Sequence, residues 1–415
     1  MNDVFKVFSP VEKFDIHAAV LDRHTRYNMY PSGVFEPSKI RRGIETEGKY
    51  PGRYTEHPCT LDTVVEDTTQ LLQSFEELAD IKDDVADLVK CAVFRPQVID
   101  SLYRVYQIPK ESGGFRTIEA PSKLLKRVQR VILEKVLYQS FRISNQAMGF
   151  VPHRSIKGNA LRHCNFRQKL DNTGRWLWKM DLKDFFPSIS ANQALKGLID
   201  TFNLLQDGSP LVRMKEISYR QPYNYVSYFM GIMYLCTYRE RLPQGAPTSP
   251  FLSNLVYAKF DNQISGIVST QGGRREIIYT RYADDVTISS TDKNKLFKII
   301  PLVENLIEKK MGGIINRKKV AICCHGRPMR VTGININEGP SISRTKRDKV
   351  RLMLYHTVKQ GWVGLHEKAR LSGYRNFYRG VDRQGWDCRC EKDFQLMDKL
   401  PVREDAPLHQ NKGEQ

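Results

Sequence analysis

Two adjacent carboxylates stand in the stretch "RYADDVTIS", which runs from Arg281 to Ser289. The flanks "EIIYTRY" and "VTIS" are rich in β-branched and aromatic residues, so the sequence predicts a hairpin with Asp284 and Asp285 at its turn. A third acid, Asp181, ends the strand-like run "WLWKMD". If the strands are neighbours in one sheet, the three carboxylates converge and suit two Mg²⁺ ions about 4 Å apart. For the adjacent pair alone, an ordinary acidic turn is the alternative.

The charge balance favours a polyanionic partner. The chain has 415 residues, with 65 Lys and Arg against 46 Asp and Glu, a formal charge of +19. Such an excess is typical of proteins that bind nucleic acid, although basic proteins also meet acidic membranes or are simply soluble. Without a long apolar run or the order of a signal peptide, the sequence predicts a cytoplasmic protein with no membrane contact. The eight cysteines lack zinc-site spacing and are interpreted as reduced thiols.

The elements that must position these acids follow an α+β order. Residues 1–95 include an acidic segment, "DTTQLLQSFEELADIKDDVADLV", whose apolar residues recur at helical spacing. The sequence predicts a long amphipathic helix there, either solvated and packed on the rest of the protein or docking a partner protein. Residues 96–340 alternate strand-like and helical segments, residues 341–400 are basic and mostly helical, and residues 401–415 form a polar tail.

Six blocks between Tyr103 and Tyr378 occur in an order that resembles the reverse transcriptase family. They are "IPKESGGFRTIEAPSKLLKRVQR", "GFVPHRSIKGNA", "KMDLKDFFPSI", "LPQGAPTSPFLSNL", "YTRYADDVTIS" and "INRKKV". The resemblance implies an α+β right-hand polymerase, with fingers and palm over residues 96–340, a thumb over residues 341–400 and a largely helical N-terminal extension. It also implies RNA-directed DNA polymerase activity with two Mg²⁺ ions. The implied metal ligands and catalytic acids are Asp181, Asp284 and Asp285.

The resemblance further implies contacts to an incoming deoxynucleoside triphosphate. Lys110 and Arg116 match fingers residues that fold over the triphosphate, where a guanidinium can grip phosphate through two hydrogen bonds. Gln244 and Gly245 in "LPQG" match the loop beneath the nascent base pair, where glycine allows close approach of the backbone.

Two more positions match residues near the sugar and the leaving group. Phe186 matches the position whose ring would collide with a ribose 2′-OH, so it is expected to select deoxynucleotides. Lys319 in "NRKKV" matches a lysine near the pyrophosphate and is a candidate general acid. Lys318 is the alternative candidate for this role. A further alternative is that "NRKKV" is only an exposed basic turn with no catalytic role.

Two shorter elements resemble those of retron reverse transcriptases. "NALRH", from Asn159 to His163, matches an N-A-x-x-H element, and "VTG", Val331 to Gly333, matches the element that precedes the thumb in retrons. Asn159 and His163 are therefore candidate RNA-binding residues, although His163 is equally interpreted as a satisfied polar residue at a helix end. The thumb supplies a cluster of cations near aromatic residues that is expected to track an RNA backbone. The cations are Arg344, Lys346, Arg347, Lys349 and Arg351.

A retron enzyme copies a structured non-coding RNA encoded beside it, primes from an internal 2′-OH and makes branched single-stranded DNA that works with an effector protein against phage. The implied partners are that RNA as template and primer, the DNA product, deoxynucleoside triphosphates and an effector protein. The alternatives are a stand-alone defence-associated reverse transcriptase making unbranched DNA, a group II intron maturase and a catalytically silent RNA-binding scaffold. The long spacer before Asp181 and the N-terminal extension favour the first alternative, whereas the three intact acids argue against the scaffold.

Overall fold

The computed structural model describes residues 61–110, 113–164, 175–201, 225–324, 326–381 and 388–404. The helices are α1 Leu61–Gln73, α2 Lys82–Phe94, α3 Pro96–Ser101, α4 Lys123–Val131, α5 Tyr138–Ser140, α6 Ile156–Cys164, α7 Ala191–Asp200, α8 Tyr225–Cys236, α9 Ser249–Glu276, α10 Lys293–Asn305, α11 Arg344–Gln360, α12 Leu365–Val381 and α13 Cys388–Asp398. The strands are β1 Tyr103–Pro109, β2 Phe115–Pro121, β3 Trp176–Asp181, β4 Ile277–Tyr282, β5 Asp285–Ser290, β6 Ala321–Cys324, β7 Arg330–Val331, β8 Ile334–Asn335, β9 Val363–Gly364 and β10 Val402–Arg403. In the described part of the chain, no helix is long and apolar enough to cross a membrane.

The central element is an antiparallel sheet in the order β4, β5, β3, β6. The run that predicts a strand forms β3, and the predicted acidic hairpin is β4 and β5. α9 and α10 pack on this sheet and cover its apolar residues, such as Trp178 and Ile288, which are fully buried. The sheet therefore supplies a rigid support for the acids at the ends of its strands.

The acidic N-terminal segment is not the single helix that its spacing predicts. α1 ends at Gln73, Phe75 has an extended backbone, and a 3₁₀ turn over Glu76–Ile81 leads into α2. Ser74 Oγ donates to the carbonyl of Leu71 at 2.6 Å, and a hydroxyl that bonds to nearby backbone in this way favours a helix end. The predicted amphipathic helix is thus two helices joined by a turn.

The acidic turn packs on basic residues of α4 and of the π-helical turn Ile132–Leu137 that follows it. Arg127 donates to both carboxylate oxygens of Asp80, at 3.0 and 2.6 Å, and Lys135 forms an ion pair with Glu77. Each partner is partly exposed, so these pairs contribute modestly to stability. The sequence left two alternatives for the acidic segment, packing on the rest of the protein or docking a partner protein. For this turn, the structure shows packing on the rest of the protein.

The buried apolar residues form two cores. The first runs from Val64 to Ile315 and joins α1, α2 and α4 to the central sheet, so no break between cores occurs at residue 95. The second contains residues of β7, β8, α11, α12 and α13, together with Ala160 and Leu177. β10 pairs in parallel with β9, so residues 402 and 403 of the predicted tail belong to this second unit.

Candidate active site

The three acids lie together where β3 ends and β5 begins. Asp181, the last residue of β3, pairs in register with Asp285, the first residue of β5. Asp284 occupies the turn between β4 and β5, and its carbonyl accepts a hydrogen bond from the Leu182 N–H at 3.1 Å. The prediction that the two strands are neighbours is therefore confirmed.

A buried ion pair supports the turn that carries Asp284. Arg281 is fully buried, and its guanidinium donates to the two carboxylate oxygens of Asp261 in α9 at 2.9 and 2.7 Å. Its Nη1 also donates, at 3.3 Å, to the carbonyl of Ala283. Ala283 has a left-handed backbone with φ 54°, which is strained for a residue with a Cβ. Sequence reasoning missed this role because the partner carboxylate is on a distant turn of α9.

Two lysines partly neutralise the acids. Lys319 Nζ donates to Asp181 Oδ2 at 2.9 Å, and Lys179 Nζ lies 3.5 Å from Asp285 Oδ2. Burial and the charge of Asp181 raise the pKa of Asp284 to about 6. Burial also raises the pKa of Asp285, although Lys179 acts against that shift. The site therefore destabilises its own negative charge and favours a further cation.

The donor set fits a divalent metal ion. Carboxylate oxygens are the ligands that Mg²⁺ prefers, and a bound cation would relieve the burial and repulsion that act on Asp284. Over the residues that the structure describes, no group of three or more possible ligands is already arranged to hold an ion. Since Lys319 and Lys179 contact two of the acids, metal binding would involve rearrangement of these ammonium groups.

The turn that carries Lys319 is held against β3. The backbone N–H of Asn316 donates to the Asp181 carbonyl at 2.8 Å, and its side-chain amide lies 3.4 Å from Asp181 Oδ2. Of the two lysines considered, Lys319 is the one whose ammonium is shown on Asp181. Its role as a general acid stays a prediction.

The predicted base-pair loop packs against β2. The Gln244 carbonyl accepts from the Glu119 N–H at 2.9 Å, and the buried Glu119 carboxylate accepts from Arg241 and from the Gln244 N–H. Gly245 has φ 150°, and a Cβ there would lie 2.7 Å from the Glu119 carbonyl, so only glycine fits without a shift. The sequence patterns did not single out Glu119 or Arg241, whose pairing joins segments far apart in the chain.

Lys110 and Arg116 lie near the exposed tip of the β1–β2 hairpin. Arg116 pairs in register with Ile108, and the Lys110 N–H donates to the Gly114 carbonyl at 2.9 Å. Opposite residues in an antiparallel pair project to the same face, and so do residues two apart on one strand. Both cations therefore belong to one face of the hairpin, while their contact with a triphosphate stays a prediction.

Phe186 belongs to an aromatic cluster beside the catalytic turn. Its ring centroid is 5.2 Å from that of Phe185 and 6.5 Å from that of Phe150. Phe150 in turn lies 5.9 Å from Tyr282, the last residue of β4. Phe186 is partly buried and Phe150 is exposed. The cluster places the predicted sugar-selecting ring near the acids, and sequence reasoning did not single out Phe150.

The five predicted RNA-binding cations of the thumb lie in the first half of α11. Arg344, Lys346 and Lys349 are exposed, and Arg344 and Arg351 each lie 3.6 Å from the carboxylate of Asp348. Positive side chains at a helix N-terminus oppose the helix dipole, so a bound anion would stabilise this end. Arg347, the remaining one of the five predicted RNA-binding cations, lies in the same part of α11.

Asn159 and His163 are buried, which corrects their expected contact with RNA. They are 1% and 0% exposed, so neither presents a surface to a nucleic acid in this conformation. His163 hydrogen-bonds through both ring nitrogens, to Ser289 Oγ and Thr280 Oγ1, each at 2.7 Å. The side-chain amide of Asn159 has no partner among the residues that the structure describes. The satisfied polar residue considered as an alternative for His163 is what the structure shows.

Known proteins provide an independent comparison. The family model for reverse transcriptase (RNA-dependent DNA polymerase) matches residues 108–336. The retron Mx65 reverse transcriptase of Myxococcus xanthus is 34% identical over 283 residues, 68% of this chain and 62% of that protein. The retron Ec86 reverse transcriptase of Escherichia coli is 32% identical over 260 residues, 62% of this chain and 70% of that protein.

The match thus spans less than two thirds of the Mx65 protein. Among solved structures, that of telomerase from Candida albicans with a telomeric RNA fragment matches this chain with a TM-score of 0.43 and 12% sequence identity. The match covers 70% of this chain and 58% of the telomerase chain. The residues matched by the family model include β3, β4 and β5, the strands that carry the three acids. The chain belongs to the reverse transcriptase family, among the reverse transcriptases of bacterial retrons.

Proposed function

We propose that this protein is an RNA-directed DNA polymerase of a retron that copies a structured non-coding RNA into branched single-stranded DNA for defence against phage. The observation that carries the polymerase proposal is the register of Asp181 with Asp285, with Asp284 in the adjoining turn. Similarity to proteins named as retron reverse transcriptases supports the choice of RNA and product. The partners are that RNA, the DNA product, deoxynucleoside triphosphates and an effector protein.

The three acids would hold two Mg²⁺ ions. When bound, these ions lower the pKa of the attacking hydroxyl and stabilise the charge of the leaving pyrophosphate. Asp181, Asp284 and Asp285 would hold these ions, since strand register and the supported turn fix the backbones of the three acids. Lys319, whose ammonium already reaches the site, donates a proton to the leaving group.

The surrounding residues select and orient the substrates. Lys110 and Arg116 bind the triphosphate from the exposed hairpin tip, and their charge favours that contact. Gly245 lets the loop lie close to β2, and the loop lies beneath the nascent base pair. Phe186 excludes a ribose 2′-OH, and the cations of α11 hold the RNA backbone.

A double substitution tests the catalytic proposal. Asp284→Ala with Asp285→Ala removes two of the three ligands, so extension of a primed RNA template should be abolished while RNA binding is largely kept. The matched control is Asp83→Ala with Asp84→Ala, an adjacent acidic pair in the first turn of α2, which removes the same charge and should leave extension intact. Normal extension by the Asp284 and Asp285 variant would refute the metal-site proposal.

The nucleic acid that copurifies with the protein tests the retron proposal. Sequencing should find a short DNA joined to RNA through a branch at an internal 2′-OH. Long or unbranched DNA would instead support a stand-alone defence-associated reverse transcriptase, and the metal-site proposal would still stand. The same preparation reveals whether an effector protein accompanies the complex.

A further inference from the structure

α6, which carries the N-A-x-x-H element, lies between the two cores. Ala160 is a fully buried member of the second core, and Ile156 and Cys164 pack against it. These three residues are four apart and therefore line one face of the helix. His163, near the end of α6, instead contacts the central sheet. One short helix thus contacts both the sheet that carries the acids and the unit that carries the basic helix α11.

His163 connects α6 to the two strands of the catalytic hairpin. Its ring nitrogens hydrogen-bond to Thr280 in β4 and Ser289 in β5. Burial lowers the pKa of His163 to about 3, so the ring is neutral near pH 7. A neutral imidazole donates at one nitrogen and accepts at the other, which suits two hydroxyl partners. The contact therefore fixes α6 against the sheet without placing an unpaired charge in the interior.

Arg175 connects the end of α6 to β3 and to the second core. It directly precedes β3, the strand that ends at Asp181. Its guanidinium donates to the carbonyls of His163 and Cys164, at 3.2 and 2.9 Å, and to the carbonyl of Asn337 at 2.8 Å. A cation at a helix C-terminus satisfies carbonyls that lack partners and interacts favourably with the helix dipole.

The VTG element approaches α6 from the other side. Thr332 and Gly333 form the two-residue turn between β7 and β8, with φ 47° and 82°. Two left-handed residues suit such a hairpin, but a β-branched residue is rarely found there because its side chain is crowded. Thr332 Oγ1 donates to the Ile156 carbonyl at 3.3 Å, a contact that gives a reason for threonine. Beside Gly333 lies the ammonium of Lys346 from α11, 3.1 Å from where a Cβ would be.

We propose that α6, Arg175 and the Thr332–Gly333 turn form a joint that sets the position of the basic helix α11 relative to the catalytic acids. The N-A-x-x-H and VTG elements, far apart in the chain, meet at this joint. A further contact, from Lys157 Nζ to the Gly380 carbonyl at 2.7 Å, joins α6 to α12. The joint determines how long the enzyme holds its RNA and DNA between additions, and it leaves the chemical step unchanged. This consequence rests on the proposed polymerase function, whereas the joint itself does not.

The experiment compares Thr332→Val with Thr332→Ser in the full-length protein. Valine keeps the shape of threonine and removes the hydroxyl, whereas serine keeps the hydroxyl. On a primed RNA template with a trap for released enzyme, Thr332→Val should add about three- to tenfold fewer nucleotides per binding event, the factor expected for one lost hydrogen bond. The rate of the first addition should be unchanged, and Thr332→Ser should restore product length.

Hydrogen exchange provides a readout that does not depend on activity. In Thr332→Val, amides of residues 329–351 should exchange faster while those of β4 and β5 keep their protection. His163→Phe should also speed exchange over residues 329–351, and it should speed exchange in β4 and β5 as well because Thr280 and Ser289 lose their partner. Ile299→Val, which removes a buried methyl group from α10, is the matched control and should leave both product length and this exchange pattern unchanged.

The outcomes test the proposed joint and the proposed polymerase function separately. Wild-type exchange and product length in Thr332→Val would refute the joint, and faster exchange with normal product length would refute its link to processivity. If the wild-type protein extends no primer, the polymerase proposal fails, while the exchange comparison still tests the joint. If His163→Phe does not fold, the Thr332 pair still decides the result.

Discussion

At the scale of single residues, the ring of Phe186 is held by neighbouring aromatic rings, so it is in place before a nucleotide binds. We expect Phe186→Ala to raise the incorporation of ribonucleotides relative to deoxynucleotides, because the ring no longer collides with the 2′-OH. A steric contact of this size corresponds to about 1–3 kcal/mol of discrimination. The measurement is the ratio of kcat/KM for the two nucleotides. Phe297→Ala, an exposed ring on α10, should not change it, and an unchanged ratio in Phe186→Ala would assign selection elsewhere.

Arg281 acts on the catalytic turn through a buried charge pair. We expect Arg281→Gln to lower the free energy of unfolding by about 3–5 kcal/mol, because Asp261 stays buried without its cation. Arg281→Met with Asp261→Leu removes both charges and should recover most of that stability. Primer extension should stay low in both variants, since the Ala283 carbonyl has lost its donor. Chemical denaturation and extension assays measure the two effects, and activity that recovers together with stability would show that Arg281 supports only the fold.

At the scale of elements, the parts of the site that depend on local patterns could be predicted from the sequence. β3 and the β4–β5 hairpin follow from runs of β-branched and aromatic residues around the acids. The contacts that could not be predicted join distant segments, as Glu119 with Gln244 and Arg281 with Asp261 do. The buried position of His163 was also not predictable, because a histidine at a helix end has the same local pattern whether it faces solvent or a sheet. The resemblance identified the positions, but only the fold identifies what they touch.

The charge on α11 leads to a prediction about salt. Each Lys or Arg that neutralises a phosphate releases counterions, so RNA affinity should fall steeply as salt rises. We expect Arg344→Glu, Lys346→Glu and Arg347→Glu together to weaken RNA binding and to reduce the slope of log affinity against log salt by about 0.7–0.9 for each lost contact. Binding titrations at several salt concentrations measure both effects.

A control with the same change in charge separates contact from net charge. Lys298→Glu, Lys309→Glu and Lys310→Glu reverse three exposed lysines, one in α10 and two in the π-helical segment Leu306–Lys310 that follows it. We expect this variant to keep the wild-type salt slope. If the α11 variant also keeps wild-type affinity and slope, another surface holds the RNA. The basic helix α4 would be the next candidate, although Asp80 already covers Arg127.

At the scale of the whole molecule, the protein consists of a larger core around the catalytic sheet and a smaller core that supports α11. Under the proposed function, catalysis would depend on the first core and retention of RNA on the second. The two meet at α6 and at Leu177, which lies in β3 but packs with the second core. Separate cores open with separate free energies, and the unit with less buried apolar surface opens first.

Phe394 tests this division because its ring is fully buried in the second core. We expect Phe394→Ala to destabilise that core by about 3–5 kcal/mol through lost burial and the cavity left behind. Hydrogen exchange should then quicken across α11 and α12 while β3 and β5 stay protected, and RNA should dissociate faster. Ile288→Ala, at a fully buried position of β5, should instead expose the catalytic sheet. Equal loss of protection in both cores after Phe394→Ala would mean that the molecule unfolds as one unit, and the joint at α6 would then transmit stability as well as position.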